Sequence, residues 1–235
     1  MSDSVDFVCI NLQSRPDRKI TSEAVFDKLG ILELMNWWTV DKNPDGGIYG
    51  CFESHWGVWN NPEFTKDYLC VFEDDLEVPS RETADRFWDT LRYIKKHDVI
   101  MMNMESGMGF GKNVGFVKDR EVRLGYYVHL GCYVLCRKYL HDVCKHTKHQ
   151  YGLDVDVALM SVLRMHSIHP PLFKQLDSGS DNGGGYRTLL PLFSGKCYLH
   201  FPPVLGEPVM EFIHTSGTIL NNFFPKSSIL QDRRV

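Results

Sequence analysis

Three consecutive acids, Glu73, Asp74 and Asp75, close the apolar run in "YLCVFEDDLEV". Adjacent carboxylates repel one another and are costly to desolvate, so such a cluster sits either in water or around a cation. On an extended chain residues i and i+2 project to the same side. Glu73 and Asp75 then face one crevice, and Asp74 turns toward the scaffold. Oxygen ligands at a strand end suit a hard, hydrated cation such as Mn²⁺ or Mg²⁺, which keeps positions open for phosphate oxygens. The competing reading is a solvated acidic turn in which Asp74 or Asp75 caps the next helix.

A second polar cluster, "NLQSRPDR", offers Asn11, Arg15 and Arg18, whose donors suit the phosphates or ribose of a nucleotide. An ordinary helix start, with Pro16 in the first turn and Arg15 paired to Asp17 or solvent, explains the same residues. "FESHWGVW" sets Ser54 and His55 within an aromatic helix, where a histidine is more often a core residue than a catalytic one. Asp156, among apolar neighbours in "DVDVALM", is a candidate general base, because a partly desolvated carboxylate binds its proton more tightly. An N-cap or metal-ligand role is equally open to it. His200 and His214 are weaker candidates for metal or phosphate contact.

The elements that must position these residues alternate. Val5 to Leu12 reads as a strand, Arg18 to Leu29 as a helix capped by Gly30, and "LMNWWTV" as a second strand. "DKNPDGG" is a loop. Ile48, Phe52, His55, Trp56 and Trp59 form one face of a helix, followed by a third strand at Tyr68 to Phe72. Ser80 caps a helix over Arg81 to Lys96, and "DVIMMNM" is a fourth strand. Such alternation predicts an α/β fold with a mainly parallel sheet and helices on both faces. Ligands then bind beyond the carboxyl ends of the strands, where both polar clusters fall. Further on, "GMGFGKNVGF" reads as a mobile glycine-rich segment, "GYYVHLGCYVL" as one buried strand, Lys138 to Lys148 as a basic helix, "LDSGSDNGGGY" as a polar loop and "KCYLHF" as a strand.

With 235 residues, 43% of them hydrophobic, the chain fits one large domain. Its nucleotide-binding half is expected at about 1–104, its acceptor half at about 105–215 and a tail at 216–235. A net charge of −4 gives no general attraction for nucleic acid or anionic membrane. Seven scattered cysteines in apolar runs favour a reducing, cytoplasmic location. Cys132, Cys136 and Cys144 find no second CxxC-like pair to complete a zinc set. No stretch approaches ~18 apolar residues, so a soluble chain without an integral membrane segment is expected, with peripheral docking still compatible. Oligomeric state leaves no signal.

Taken together, these motifs resemble the glycosyltransferase family that contains the bacterial lipooligosaccharide galactosyltransferases and the procollagen hydroxylysine galactosyltransferases. "CINLQSRPDR" is similar to the family's "INL-x-x-R-x-x-R" opening, "GCFESHWGVW" to its "G-C-x-x-S-H" helix and "VFEDDLEV" to its acidic metal motif. "DVDVALM" and "HPPLFKQLDSGSD" resemble its "P-V-D" and "P-x-x-x-Q-x-x-x-x-S-D" segments, and the order of all five is kept over residues 8 to 181. Phe52 and Glu53 replace small apolar residues usual before the Ser-His pair, and Val157 stands where a second acid often occurs. The resemblance implies a Rossmann-like fold of the GT-A type, a UDP-galactose or UDP-glucose donor, Mn²⁺ and inversion at the anomeric carbon. It implies a metal on Asp75, and substrate contacts from Asn11, Arg15, Arg18, Ser54, His55, Glu73, Asp74, Ser180 and Asp181. The acceptor would be a glycan, a lipid-linked glycan or a protein hydroxyl. Two rivals stand beside it: a non-catalytic relative that binds nucleotide sugar or glycan, and a metal-dependent nucleotidyltransferase. The latter normally carries an N-terminal glycine-rich phosphate loop, which "CINLQSRPDR" lacks.

Overall fold

In the computed structural model, residues 2–105, 109–148, 154–160 and 162–176 are described, together with the strand backbones at 197–200, 209–212, 214–215 and 218–219. The first half alternates as its periodicity requires: β1 (Val5–Leu12), α1 (Pro16–Leu29), β2 (Met35–Val40), α2 (Gly47–Asn60), β3 (Tyr68–Glu73), α3 (Arg81–His97) and β4 (Met101–Asn103). There follow β5 (Gly109–Val117), β6 (Arg120–Tyr127), β7 (Cys132–Cys136), α4 (Leu140–Thr147), α5 (Val155–Met160) and β8 (Met165–His169). Local chemistry sets the ends. Gly30 closes α1 in the left-handed region at φ 71°, and the Ser80 hydroxyl accepts the Thr83 N–H at the start of α3.

The eight strands form one sheet in the order β2-β1-β3-β7-β4-β8-β6-β5. β1 pairs parallel with β2 and β3, and β4 with β8, while β7 and β6 pair antiparallel with their neighbours. Thus β1, β2, β3, β4, β5 and β8 point one way and only β6 and β7 run against them. This is the mainly parallel α/β sheet that the alternation predicts.

Both faces are covered, which is why the central strands read as continuous apolar runs. Phe7, Cys9, Cys70 and Phe72 face a core completed by Phe26 and Leu29 of α1 and Phe87 and Leu91 of α3. Val8, Leu69, Val71 and Leu135 face the other core, with Val58 and Trp59 of α2, Val143 of α4 and Leu159 of α5. Trp88 Nε1 donates to the Leu29 carbonyl at 3.0 Å and ties α3 to the end of α1.

Two readings of the second half are corrected. The glycine-rich "GMGFGKNVGF" is not a loop over its described part but the edge strand β5, paired with β6 along its length around a register shift at Asn113/Gly115. Its glycines serve close approach: a Cβ on Gly111 would collide with the Tyr127 hydroxyl. "GYYVHLGCYVL" is not one strand but the end of β6, a turn and β7. Asp156 lies on α5, and "MHSIH" forms β8. The strand in "KCYLHF" lies at Cys197–His200 and pairs antiparallel with Val209–Phe212. His214 falls on a further short strand, His214–Thr215.

Candidate functional site

The antiparallel β7 begins where β3 and β4 end, with Phe72 opposite Cys132 and Asn103 opposite Tyr133. The β6–β7 turn, residues 128–131, is therefore set among the acids at the carboxyl edge. Glu73 N donates to the Gly131 carbonyl at 2.8 Å, and Gly131 N to Glu105 Oε2 at 3.4 Å. Gly131 is closely packed: an added Cβ would lie 3.1 Å from Leu76 Cδ2 and 3.3 Å from Glu105 Cγ, so those side chains would have to shift slightly to admit it.

Of the three consecutive acids, Asp74 is the structural one. Its buried carboxylate accepts Asn11 Nδ2 at 2.6 Å, Leu12 N at 3.2 Å and an Arg18 guanidinium nitrogen at 3.1 Å. The Ser22 hydroxyl also donates to its carbonyl at 3.1 Å. Asn11 and Arg18, expected on a nucleotide, are buried and committed to this turn. The same Arg18 nitrogen lies 3.5 Å from Asp75 Oδ2, so one guanidinium serves both carboxylates. Arg15 is more open and chelates Asp17 at 2.9–3.3 Å, as an ordinary helix start would have it.

Glu73 and Asp75 are the more open of the three acids. Asp75 Oδ1 is buried without a hydrogen-bond partner among the described residues. Burial, reinforced by the charge of Glu73 and only partly offset by Arg18, pushes the Asp75 carboxyl up to about 7. Burial raises Glu73 as well, but the hydrogen bond and charge of His55 outweigh it and hold the group below its ordinary value. Gln175 Nε2 donates to the other Glu73 oxygen at 3.3 Å. A bridge between Leu76 and Gln175, with Leu176 N donating to the Asp75 carbonyl at 2.6 Å, brings the "HPPLFKQ" segment to this turn.

His55 is more than core filling. Its Nε2 lies 3.1 Å from Glu73 Oε1 and its Nδ1 2.8 Å from the Tyr133 hydroxyl. Trp59 Nε1, which can only donate, reaches the same hydroxyl at 2.7 Å. The tyrosine oxygen therefore accepts from Trp59, and His55 bridges that hydroxyl and Glu73 through its two ring nitrogens. Ser54, by contrast, donates to the Gly50 carbonyl at 2.6 Å inside its own helix.

Asp156 lies in the first turn of α5, and its Oδ2 accepts the His129 N–H at 2.8 Å. Burial first, and Glu73 in addition, raise its pKa against the lowering effect of that bond. Ser180 and Asp181 lie outside the described residues.

Two residues not singled out from the sequence join the cluster. Glu105 ends the β4 segment much as the acids end β3, and burial with the charge of Glu73 pushes it up to about 8. His129 sits at φ 66°, an uncommon conformation for its type. It is held there by Asn103 Nδ2 on its carbonyl at 2.8 Å and Asp156 on its N–H. Its Nδ1 is 3.9 Å from Glu105 Oε1. The site is thus a cluster of four carboxyls, Glu73, Asp75, Glu105 and Asp156, with His55 against Glu73 and His129 beside Glu105 and Asp156.

No family model and no curated protein matches the chain. Among solved structures it is similar to a glycosyltransferase involved in the glycosylation of the major capsid of PBCV-1, at 10% identity and a TM-score of 0.40, over 74% of this chain and 95% of that one. It is also similar to a UDP-glucose pyrophosphorylase complexed with UDP-glucose, at 11% identity and 0.41, over 74% of each chain. A third is described as mannose-1-phosphate geranyltransferase from Thermus thermophilus, at 10% identity and 0.41, over 70% of this chain and 73% of that one. No helix among the described residues is long and apolar enough to cross a membrane.

Proposed function

We propose that the chain is a divalent-metal-dependent, inverting glycosyltransferase of the GT-A type that moves galactose or glucose from a UDP-sugar to an acceptor hydroxyl. The carrying observation is Asp75: a half-buried carboxyl in the turn after β3, with its buried Oδ1 unpartnered among the described residues and its pKa raised by desolvation and by the charge of Glu73. A cation of the Mn²⁺ or Mg²⁺ class fits such a group, because it relieves the repulsion and takes the orphan oxygen. Asp75 would hold it, with Glu73 and Glu105 as further carboxyls of the same cluster. When bound, the cation supplies Lewis-acid stabilisation of the departing diphosphate.

The chain's own residues supply the rest. Glu73, fixed from both sides by His55 and Gln175, is oriented for a ribose hydroxyl. Arg15, the more open arginine of the first turn, lies within the same edge and suits a phosphate. Asp156 takes the proton of the acceptor hydroxyl as its oxygen bonds to the anomeric carbon and the bond from that carbon to the diphosphate breaks. Its raised pKa suits a base that must accept a proton near neutrality. In this reading residues 1–104 hold the donor and the segment from 105 on contributes Glu105, His129 and Asp156 to the acceptor side. A glycan, lipid-linked glycan or protein hydroxyl is the acceptor class.

The test is release of UDP from UDP-galactose and UDP-glucose with Mn²⁺, in the native chain and in Asp75→Ala. Turnover by the native chain alone supports the transferase. Tight donor binding without turnover for any UDP-sugar identifies a non-catalytic binder and overturns it.

A further inference from the structure

A second donor set shares Glu73 with the carboxylate site and adds sulfur and imidazole to it. Cys51 and His55 are four residues apart on α2, so they share a helical face, and that face meets the end of β3 at Glu73. Cys51 Sγ lies 4.0 Å and His55 Nε2 3.1 Å from the same oxygen, Glu73 Oε1. One ligand atom from each of the three residues falls within 4.8 Å of the others. We infer that Cys51, His55 and Glu73 form a binding site for a borderline-soft transition-metal ion of the Zn²⁺ class, separate from the hard-cation position at Asp75.

The chemistry of the donors supports this choice. Sulfur, imidazole and one carboxylate make a mixed set that Zn²⁺ and Co²⁺ accept in tetrahedral geometry, with a fourth position left open, whereas Mg²⁺ requires oxygen ligands. The adjustment needed is local: three ligands around one tetrahedral Zn²⁺ stand roughly 3.3–3.8 Å apart, from metal–ligand bonds of about 2.0–2.3 Å, so Cys51 moves inward and the His55–Glu73 contact opens slightly. A supporting shell is already built. Tyr133 lies at His55 Nδ1 and Gln175 at the second Glu73 oxygen, so both ligands are held in orientation before any ion arrives. With a cation on Nε2, the imidazole carries its proton on Nδ1 and donates it to the Tyr133 oxygen, whose two lone pairs then serve Trp59 and His55. Burial keeps the Cys51 thiol protonated in the metal-free protein, and binding an ion there releases that proton.

The inference does not depend on the transferase reading, and its readout is spectroscopic. Protein stripped with a chelator is titrated with Co²⁺. One equivalent is expected to produce an intense near-ultraviolet thiolate-to-cobalt absorption together with the visible bands of a four-coordinate ion. Cys51→Ser is expected to abolish the near-ultraviolet absorption, and Glu73→Gln and His55→Gln to weaken Co²⁺ by about tenfold or more. Asp75→Asn is expected to leave the spectrum unchanged. Circular dichroism of each variant identifies any that has lost its fold, and Glu73→Gln, the mildest change in shape, then decides. Absence of Co²⁺ binding, a spectrum without the thiolate band, or a band that persists in folded Cys51→Ser overturns the inference.

Discussion

Removing the Asp74 carboxylate tests the claim that this acid holds the crevice rather than working in it. Asp74→Ala takes away three hydrogen-bond acceptances, from Asn11 at 2.6 Å, Leu12 at 3.2 Å and Arg18 at 3.1 Å, at a site 5% exposed. The largest consequence is at Arg18, whose side chain is 8% exposed and loses its nearer counter-charge. Breaking a buried pair by removing one partner costs about 3–5 kcal/mol. Asp75 remains 3.5 Å from the same nitrogen and retains part of that attraction, so the low end, about 3 kcal/mol, is expected. For a domain of this size that corresponds to a fall of about 6–12 °C in melting temperature. Urea denaturation reads it directly, as a lower midpoint at unchanged slope. Asp74→Asn, which keeps an acceptor but not the charge, should fall between. A loss below about 1 kcal/mol in Asp74→Ala would mean that the acidic turn is held by other means and that Arg18 is available to substrate.

Three further outcomes follow from the same geometry. Asp75 and Glu105 have raised pKa values, so the native state binds more protons than the unfolded chain, and metal-free stability should fall as pH rises from about 4 through about 7 and 8. Denaturation midpoints from pH 5 to 8 should show this, with the decline reduced in Asp75→Asn and in Glu105→Gln. Mn²⁺ at about a hundred times its dissociation constant should stabilise the native chain by about 2.7 kcal/mol in a thermal melt, and Asp75→Asn should remove that gain. Asp156→Asn should lower the rate of sugar transfer by about 10²- to 10⁴-fold with donor KM little changed, as steady-state kinetics would record.

Much of this arrangement was legible in the residues. The acidic end of the third strand is legible, but alternation does not extend to it: β3 ends at Glu73, and Asp74 and Asp75 lie in the following turn, both within reach of Arg18. The βα alternation determines that the polar turn after β1 and the acids after β3 share one edge. What escaped is set by long-range packing. His129 is hidden within "GYYVHLGCYVL", whose unbroken apolarity conceals a turn, and only the antiparallel insertion of β7 between β3 and β4 brings that turn to the acids. Glu105 is a single acid after "MMNM", with no cluster to attract notice, although it follows the same strand-end logic. Asn11 and Arg18 have the chemistry of phosphate ligands, yet a carboxylate 63 or 56 residues away claims them first. Glycine content concealed β5, since the side chains that would reveal alternation are those that the packing against Tyr127 excludes.

The central claim is that the carboxyl-edge crevice holds a divalent cation together with a nucleotide-sugar donor. Anomalous diffraction from crystals soaked with Mn²⁺ and a UDP-sugar tests it most directly. The account predicts one manganese peak bonded to Asp75 and to diphosphate oxygens, with the sugar between Glu105 and Asp156. A donor bound away from the β3 and β4 ends, or a nucleotide held at this edge with no metal at Asp75, would contradict it.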